Sequence, residues 1–438
     1  MANDTDFLVF ERALAPHSGM DSYFVRLTCD RDSLLAIFVP LSVTISEGFS
    51  YASPIVTIGF NDLAGVLFNT FKIDPDATYT LTFGRDAENE QSIHLKATKI
   101  MLLNQDVGKA ENIGFKIFFS WQGWYGMYGK HHNRGWENVL FSDVVQQISS
   151  EGQYNSVDIY PTDRVYEHVV QPHWTNIIFL NWLRQRSISS DSIYGHYEYG
   201  CTIGGKFFYK PLSAMVDQQR DQASREELPS FVLGGQPMSP DARKEQEEEN
   251  ENLRVYFTGF TVKEHYMNSI LNGAGGTLSL WFDTETGQMM TTPENYSVLR
   301  SIQLTRNGAI KQVHENSNLP VLGGRMDYTD VMAKHSVSNV VNSITSFDIV
   351  AEGSPKAEIG KLVEVIIPVQ MNINPDPFNL TYSGFYLVGA VNHDVDFRKN
   401  QMKTTYTFVR QGHDNAALDG YSTSAAGRFI SLSTRRFV

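Results

Sequence analysis

Apolar and polar residues alternate along the first part of the chain with the period of a β-strand. Alternating or β-branched runs of strand length occupy residues 41–45, 54–60, 78–83, 92–97 and 113–119. Period-two alternation predicts strands with one face in a core. Because the third and fourth runs flank the polar stretch 84–91, they predict a hairpin with a solvated loop.

Residues 121–216 carry a different pattern, in which short helices alternate with strands. Ser142 is placed to cap a short helix, and Thr175 a second one. In the second helix, Ile178 and Trp182 form an apolar i, i+4 stripe, with Phe179 and Leu183 as further candidates. We expect Ile178 and Trp182 to point inward and Arg184 to point outward. Residues 196–199 and 206–210 flank Gly204-Gly205, which predicts a hairpin.

The last part of the chain returns to strands after a polar interruption. Residues 241–252 contain six acids, two bases and one small apolar residue, which is typical of a solvated loop. Further strands are predicted at 253–257, 361–367, 385–397 and 404–409, with a turn at 398–401. Beyond Gly412 the chain is rich in Ser, Ala and Gly, which predicts a flexible tail.

The pattern predicts a mainly β protein with an α+β insertion. Strand, linker and long hairpin recur at both ends, which indicates two related antiparallel β-barrels around a small helix-and-hairpin domain. The expected segments are a first barrel at 1–120, a helix-and-hairpin domain at 121–216, an acidic mobile loop at 217–252, a second barrel with insertions at 253–412 and a tail at 413–438.

Composition narrows the functional class. The 438 residues carry a net charge of −13, which argues against general binding of nucleic acid, since phosphate contacts need Lys and Arg. Aromatic residues make up 12% of the chain, which favours half-buried sheets and interfaces. Cys29 and Cys201 are too few and too far apart for a disulfide framework or a zinc motif. We find no signal peptide and no apolar stretch long enough to span a membrane.

The sequence contains only weak signals for catalytic or ligand-binding groups. His131-His132 point to opposite faces of a strand, and no third ligand has suitable spacing for a metal. Cys201 lies in a predicted hairpin without a local catalytic signature, so a buried thiol is expected. The glycines at 273–276 lack the lysine and the strand–helix context of a phosphate loop. We therefore predict no catalytic, cofactor-binding or metal site, and no enzyme.

The aromatic segment 121–128 has two interpretations. Its tryptophans and tyrosines could form a platform for a sugar, or they could pack in a loop or at a subunit interface. The second interpretation is favoured, because the segment is rich in glycine as well as in aromatic residues, which is typical of a loop.

Three segments, taken in order, resemble the central hub protein of contractile-phage baseplates and the related amino-terminal half of VgrG proteins. They are the strands 41–60 with the hairpin 78–97, the helix 174–184 followed by the hairpin 204–212, and residues 353–365 with the strands 384–391 and 404–409. The likeness spans about residues 35–215 and 253–410 and leaves out the acidic segment and the tail. The resemblance implies a homotrimer whose tail-tube-like barrels surround a channel between the tail tube and a membrane-piercing spike.

The resulting functional prediction is a structural baseplate hub for tail assembly and genome delivery. The implied partners are other copies of the chain, the central spike, the tail tube and the wedge proteins, with the tape measure protein as a further candidate. The protein would assemble in the host cytoplasm and reside in the virion tail, without specific nucleic-acid binding. The alternative is a tail-associated cell-wall hydrolase or receptor-binding module, which a zymogram would distinguish.

Overall fold

The computed structural model describes the chain over a set of ranges. These are residues 6–14, 23–62, 74, 76–84, 90–103, 113–187, 189, 197–223, 228–233, 254–264, 277–283, 288–294, 312–315, 345–352, 357–367 and 382–410. In this part of the chain, no helix has the length and apolar character required to cross a membrane.

Seven antiparallel strands make up what we call the first β unit. They are β1 (Phe7–Leu14), β2 (Tyr23–Cys29), β3 (Val39–Gly48), β4 (Ile55–Asp62), β5 (Tyr79–Gly84), β6 (Gln91–Leu103) and β7 (Ile113–Trp121). They pair in the order β1-β2-β5-β6-β7-β4-β3. The predicted hairpin around the polar stretch is confirmed as the β5–β6 pair. Sequence alternation did not predict β1 and β2.

The burial of β3 explains why this part of the chain forms a sheet with one apolar face. Val43 and Ile45 are fully buried, whereas Thr44 and Ser46 are partly exposed on the other face. The inward residues of the other six strands join the same core, which contains mostly Val, Leu, Ile and Phe. The two-residue period of the sequence therefore corresponds to a real division between core and surface.

Residues 121–223 contain what we call the helix-and-hairpin unit. Its elements are β8 (His131–Leu140), α1 (Phe141–Ser149), β9 (Ser156–Ile159), β10 (Val165–Thr175), α2 (Asn176–Arg184), β11 (Tyr197–Cys201), β12 (Lys206–Pro211) and α3 (Leu212–Ala223). Both predicted helices and the β11–β12 hairpin are confirmed. The capping prediction for Ser142 is wrong, because Leu140 precedes the first helical residue. Thr175 does precede α2, but its side chain makes no capping hydrogen bond.

The orientation of α2 differs from the prediction. Trp182 is buried as expected, but Ile178 is 50% exposed. Arg184, expected to point outward, instead forms a largely buried ion pair. The buried face of α2 is centred on Phe179, Leu180 and Leu183, which pack into the core of the helix-and-hairpin unit.

The second β unit consists of six strands that pair in a closed cycle. They are β13 (Ser230–Leu233), β14 (Arg254–Glu264), β18 (Thr345–Glu352), β19 (Leu362–Ile366), β20 (Gly384–Asp396) and β21 (Gln401–Arg410). The order is β20-β19-β13-β14-β18-β21, and β21 pairs back with β20. The expectation of a fully antiparallel arrangement is wrong here, because β13 runs parallel to both of its neighbours.

The segment 217–252, predicted to be a mobile loop, begins with ordered structure. It contains the end of α3 and all of β13, whose Phe231 is fully buried in the second core. The prediction failed at this end because a run of four residues between polar stretches gives little periodicity. Residues 234–253 lie outside the described residues, as do the loop tip 85–89, the glycines 273–276 and the tail 411–438.

A small sheet formed by β15 (Thr277–Asp283), β16 (Gln288–Glu294) and β17 (Gln312–Glu315) lies between β14 and β18 in sequence. In it, β15 pairs antiparallel with β16 and parallel with β17. The sequence pattern had left this region unassigned.

Strand β20 joins the two β units into one sheet of 13 strands. Its residues 384–387 pair with β19 of the second unit, and its residues 390–396 pair with β3 of the first. On the other side of β20, residues 387–396 pair with β21. The relative position of the two units is therefore fixed by backbone hydrogen bonds.

Candidate functional site at the junction of three structural units

The end of β3 contacts both of the other units. The backbone N–H of Phe49 donates to the carbonyl of Gly389 in the second β unit at 2.9 Å, and that of Ser50 donates to the carbonyl of Tyr199 in the helix-and-hairpin unit at 2.8 Å. Ser50 has a positive φ of 67°, which turns the chain sharply between these contacts. Residues 47–50 are thus the point where all three units meet.

Glu47 is the central side chain of this junction. It occupies an inward position of β3, and its side chain is almost completely buried. One carboxylate oxygen accepts a hydrogen bond from the Ile203 N–H at 2.7 Å, and the other accepts one from the Ile359 N–H at 3.2 Å. Ile203 belongs to the helix-and-hairpin unit and Ile359 to the second β unit. A single carboxyl group therefore connects three units.

Burial dominates the protonation of Glu47. Loss of hydration raises its pKa to about 8, while the two N–H donors oppose that shift. Glu358 acts in the same direction as burial, and Lys361 acts against it. The carboxyl group consequently binds its proton far more tightly in the folded protein than in an exposed position.

A second polar contact ties α2 to the junction. Arg184 Nη1 lies 2.8 Å and 2.7 Å from the two carboxylate oxygens of Glu198 on β11. The same nitrogen donates to Ser50 Oγ at 2.8 Å. Glu198 is nearly fully buried, so this charge pair forms in a region of low dielectric constant.

Cys201, considered in the sequence as a candidate nucleophile, is buried beside the junction. Burial and the nearby Glu47 raise the pKa of its thiol well above the usual value. Its Sγ lies 3.5 Å from the carbonyl oxygen of Thr202. Because the thiolate is the reactive form, this environment suits a structural thiol.

The pair His131-His132 lies on β8, as two neighbouring residues that point to opposite faces. His131 stacks on His173 with ring centroids 5.1 Å apart, and His132 Nε2 lies 3.3 Å from Glu151, which also binds Arg134. Desolvation is the main factor that lowers the pKa of His132. Among the described residues, no group of three or more His, Cys, Asp or Glu could hold a metal ion.

The aromatic segment 121–128 divides between core and surface. Trp121 is buried and donates through its indole N–H to the carbonyl of Gly152 at 2.8 Å. Residues 125–129 form one π-helical turn that exposes Tyr125 and Tyr128. The turn lies so close to Glu151 that a Cβ on Gly126 would collide with the Glu151 carbonyl oxygen. The exposed tyrosines are consequently held on a rigid support.

His393 marks the line along which β3 and β20 pair. It is fully buried opposite Ile45, and its Nδ1 lies 2.8 Å from the Thr404 hydroxyl. Burial lowers its pKa to about 4, which keeps the imidazole neutral in the core. On the outer face of the same pair, Thr44 donates to Asp394 at 2.6 Å.

The chain is similar to known proteins in structure only. No protein-family model matches the chain, and no curated protein matches its sequence. The chain is similar to the 43 kDa tail protein of prophage MuSo2 from Shewanella oneidensis, with a TM-score of 0.55 and 9% identity over 88% of this chain and 98% of that one. For a tail protein from Neisseria meningitidis the TM-score is 0.50 and the identity 8%, over 85% of this chain and 92% of that one.

The chain has the fold of a phage tail protein. It also aligns with an Escherichia coli component of the type VI secretion system, at a TM-score of 0.42 and 11% identity over 85% of this chain and 73% of that one. That TM-score is too low to support a conclusion. The assignment of the tail-protein fold therefore rests on the two tail proteins.

The polar side chains that hold this tail-protein fold together at its junction were not predicted from the sequence. Glu47 did leave a signal, because it takes the inward position after Val43 and Ile45 in an alternating strand. Glu198 also left one, as an acid between two tyrosines in a predicted strand. The backbone N–H donors of Ile203 and Ile359 left no signal in the sequence, since every residue except proline has a backbone N–H.

Proposed function

We propose that the protein is a structural hub of a phage tail baseplate. In this proposal it forms a homotrimeric ring in which each subunit contributes two barrel-like β units around a central channel. The ring joins the tail tube to the central spike and also contacts wedge proteins, with the tape measure protein as a further candidate. It acts without catalysis, resides in the virion tail and is assembled in the host cytoplasm.

The observation that carries this proposal is the tail-protein fold over nearly the whole length of the chain. The two tail proteins it is similar to are covered to 98% and 92% of their length. The construction of the subunit supports the same function. A part that transmits load between a tube and a spike needs units that do not move independently, and here a shared strand and a buried carboxyl group fix them.

The exposed tyrosines fit this function as part of a subunit interface. Tyr51, Tyr125 and Tyr128 are exposed, and tyrosine is enriched in interfaces because it combines a large apolar ring with a hydroxyl. We assign them to contacts between subunits or with another tail protein.

Native mass spectrometry and negative-stain electron microscopy test the proposal together. We expect a trimer at micromolar concentration and a ring with a central opening. A chain that remains monomeric at that concentration, also after tail partners are added, contradicts the proposal. Clearing of a peptidoglycan zymogram by the purified chain would instead favour a cell-wall hydrolase.

The channel wall provides a further check. A genome passes without adhering only if basic residues do not dominate the wall, since each phosphate contact by Lys or Arg adds binding free energy. We expect the residues that line the channel to show no excess of Lys and Arg over Asp and Glu. A reconstruction of the trimer with a predominantly basic wall, or tight salt-sensitive binding of duplex DNA, contradicts this expectation.

A further inference from the structure

Four exposed apolar side chains lie together on β1 and on a short 3-10 helical turn that precedes β3. The turn, Leu34–Ile37, lies against β1. The first residue of β1, Phe7, pairs with Cys29, five residues before the turn, which brings the start of β1 to the same place. Each of the four side chains is 50–55% exposed. They are Phe7, Leu8, Leu34 and Ile37, which we call the β1 patch.

A second group of exposed apolar side chains lies where the first β unit meets the helix-and-hairpin unit. The Tyr128 hydroxyl interacts with the backbone of Ala52, which follows Tyr51 in the chain. The side-chain amide of Asn176 donates to the Gly126 carbonyl at 2.8 Å, which holds the first turn of α2 on the π-helical turn. The group is 38–55% exposed and consists of Tyr51, Ile55, Tyr125, Tyr128 and Ile178, which we call the tyrosine patch.

The two patches lie at opposite ends of β3. The 3-10 turn ends two residues before Val39, where β3 begins, and Tyr51 follows three residues after Gly48, where β3 ends. A strand of ten residues is about 30 Å long. The two patches of one copy therefore do not cover each other. Because contiguous apolar surface on a folded chain marks a site of interaction, each patch needs a cover from another molecule.

The charges at the margins of the two patches are complementary. Asp32 is exposed just before the 3-10 turn, and the neighbouring Arg31 is held by two other carboxylates. At the tyrosine patch, the exposed Lys130 has its Nζ 5.9 Å from the centroid of the Tyr125 ring. The β1 patch thus has an acidic margin and the tyrosine patch a basic one. Opposite charges at the rim of a contact speed encounter and fix its register.

We propose that the β1 patch of one copy docks on the tyrosine patch of a second copy, with Asp32 opposite Lys130. Such a contact joins two different faces of the same chain, which is the kind of contact that closes copies into a ring with cyclic symmetry. The inference rests on the proposed function in requiring that copies associate, and it assigns the two faces that meet. Burial of the apolar side chains stabilises the contact, and the charge pair orients it.

Full-length variants with one patch disabled test the contact. The first variant carries Leu34→Glu and Ile37→Glu, and the second carries Tyr125→Glu and Ile178→Glu. We expect each variant alone to be monomeric where the wild type is a trimer. An equimolar mixture should form heterodimers and grow no further, because only one intact face of each kind remains. Native mass spectrometry with one variant ¹⁵N-labelled identifies the heterodimer.

The matched control carries Val165→Glu and Val170→Glu, which place acids at exposed apolar positions of β10 outside both patches. It should remain a trimer.

Charge reversal and cross-linking give readouts that do not depend on the patch variants. Asp32→Lys and Lys130→Asp should each lower the association constant at low salt by about tenfold, and the two together should restore it. A short bis-maleimide should link copies that carry Leu34→Cys to copies that carry Tyr125→Cys. Replacing the latter by Val165→Cys should abolish the mixed product. This cross-link decides the question if a patch variant fails to fold.

The outcomes separate this inference from the proposed function. A trimer that survives both patch variants, or monomeric variants whose mixture forms no heterodimer, overturns the contact and leaves the trimer standing. A wild type that forms open chains supports the contact and overturns the trimeric ring. A wild type that is monomeric and gives no mixed cross-link overturns both. If the patch variants stay trimeric and lose binding of another tail protein, the patches serve that protein and the inference is wrong.

Discussion

One guanidinium nitrogen of Arg184 lies within 2.8 Å of both carboxylate oxygens of Glu198. The two side chains are 15% and 7% exposed, so their charges are largely removed from water. Through Ser50 the pair also reaches the end of β3. The ion pair itself lies within the helix-and-hairpin unit, and the hydrogen bond from Arg184 to Ser50 ties that unit to the first β unit.

Loss of Arg184 should destabilise the protein strongly. We expect Arg184→Ala to lower the free energy of unfolding by about 3–5 kcal/mol, because Glu198 would keep a buried charge without its guanidinium partner. Urea unfolding measures the change. Arg26→Ala is the control, since Arg26 and Glu11 form an exposed pair whose loss should cost less than about 1 kcal/mol. Similar losses for the two variants would contradict this account.

Alanine substitutions at Trp182 and Ile178, two apolar residues four positions apart in α2, should affect stability differently. Trp182 is buried against Phe141 and Phe179, so Trp182→Ala should cost about 3–5 kcal/mol. Ile178 is 50% exposed, so Ile178→Ala should leave the melting temperature of the isolated subunit nearly unchanged. Thermal unfolding followed by circular dichroism compares the two variants. An unchanged melting temperature for Trp182→Ala would refute the assigned burial.

The sequence alone does not determine which face of α2 is buried. Residues 177–183 are apolar at every position except Asn181, so periodicity does not select one face. The choice between Ile178 and Phe179 is made by neighbouring elements, since Trp136 on β8 stacks on Phe179. The burial of Arg184 could not be predicted from the sequence either, because its partner Glu198 belongs to a hairpin elsewhere in the unit.

Stability should depend on pH through Glu47. Its folded-state pKa of about 8 lies above the usual value of 4.5, so its contribution to stability is fully present below about pH 4.5 and is lost as the pH rises towards 8. Relative to Glu47→Gln, which cannot titrate, the wild type should lose up to about 5 kcal/mol across that window. Chemical unfolding at intervals from pH 4 to 9 measures the difference.

The control for this experiment is Glu137→Gln, at an exposed position of β8. It makes the same replacement of a carboxylate by an amide away from the junction. If the difference between wild type and Glu47→Gln is constant from pH 5 to 8, burial does not govern the protonation of Glu47.

Deletion of residues 235–250 should leave the fold intact. The deleted stretch has too few apolar residues to offset the entropy of ordering it. We expect an unchanged melting temperature and a trimer at micromolar concentration. Phe231→Ala, which removes a fully buried ring just before the deletion, should by contrast cost about 3–5 kcal/mol. Loss of soluble trimer on deletion would show that the stretch is structural.

Local patterns predicted about half of the strands in the described part of the chain, but not how they combine. The alternation in residues 41–45 and 404–409 is visible in the sequence, and both segments are strands. Nothing local shows that β3 pairs with β20 or that β13 runs parallel to its neighbours. Such pairings depend on backbone hydrogen bonds between distant segments, which leave no periodic signal.

The pairing of β3 with β20 also determines when, during synthesis, the sheet can be completed. Thr44 and its partner Asp394 are 350 residues apart, so the ribosome completes β20 long after β3 has emerged. At about 5–20 residues per second, the nascent chain waits roughly 20–70 s with the edge of β3 uncovered. An uncovered edge can recruit the wrong strand, including one from a neighbouring nascent chain. This topology therefore makes the last stage of translation the decisive step for correct folding.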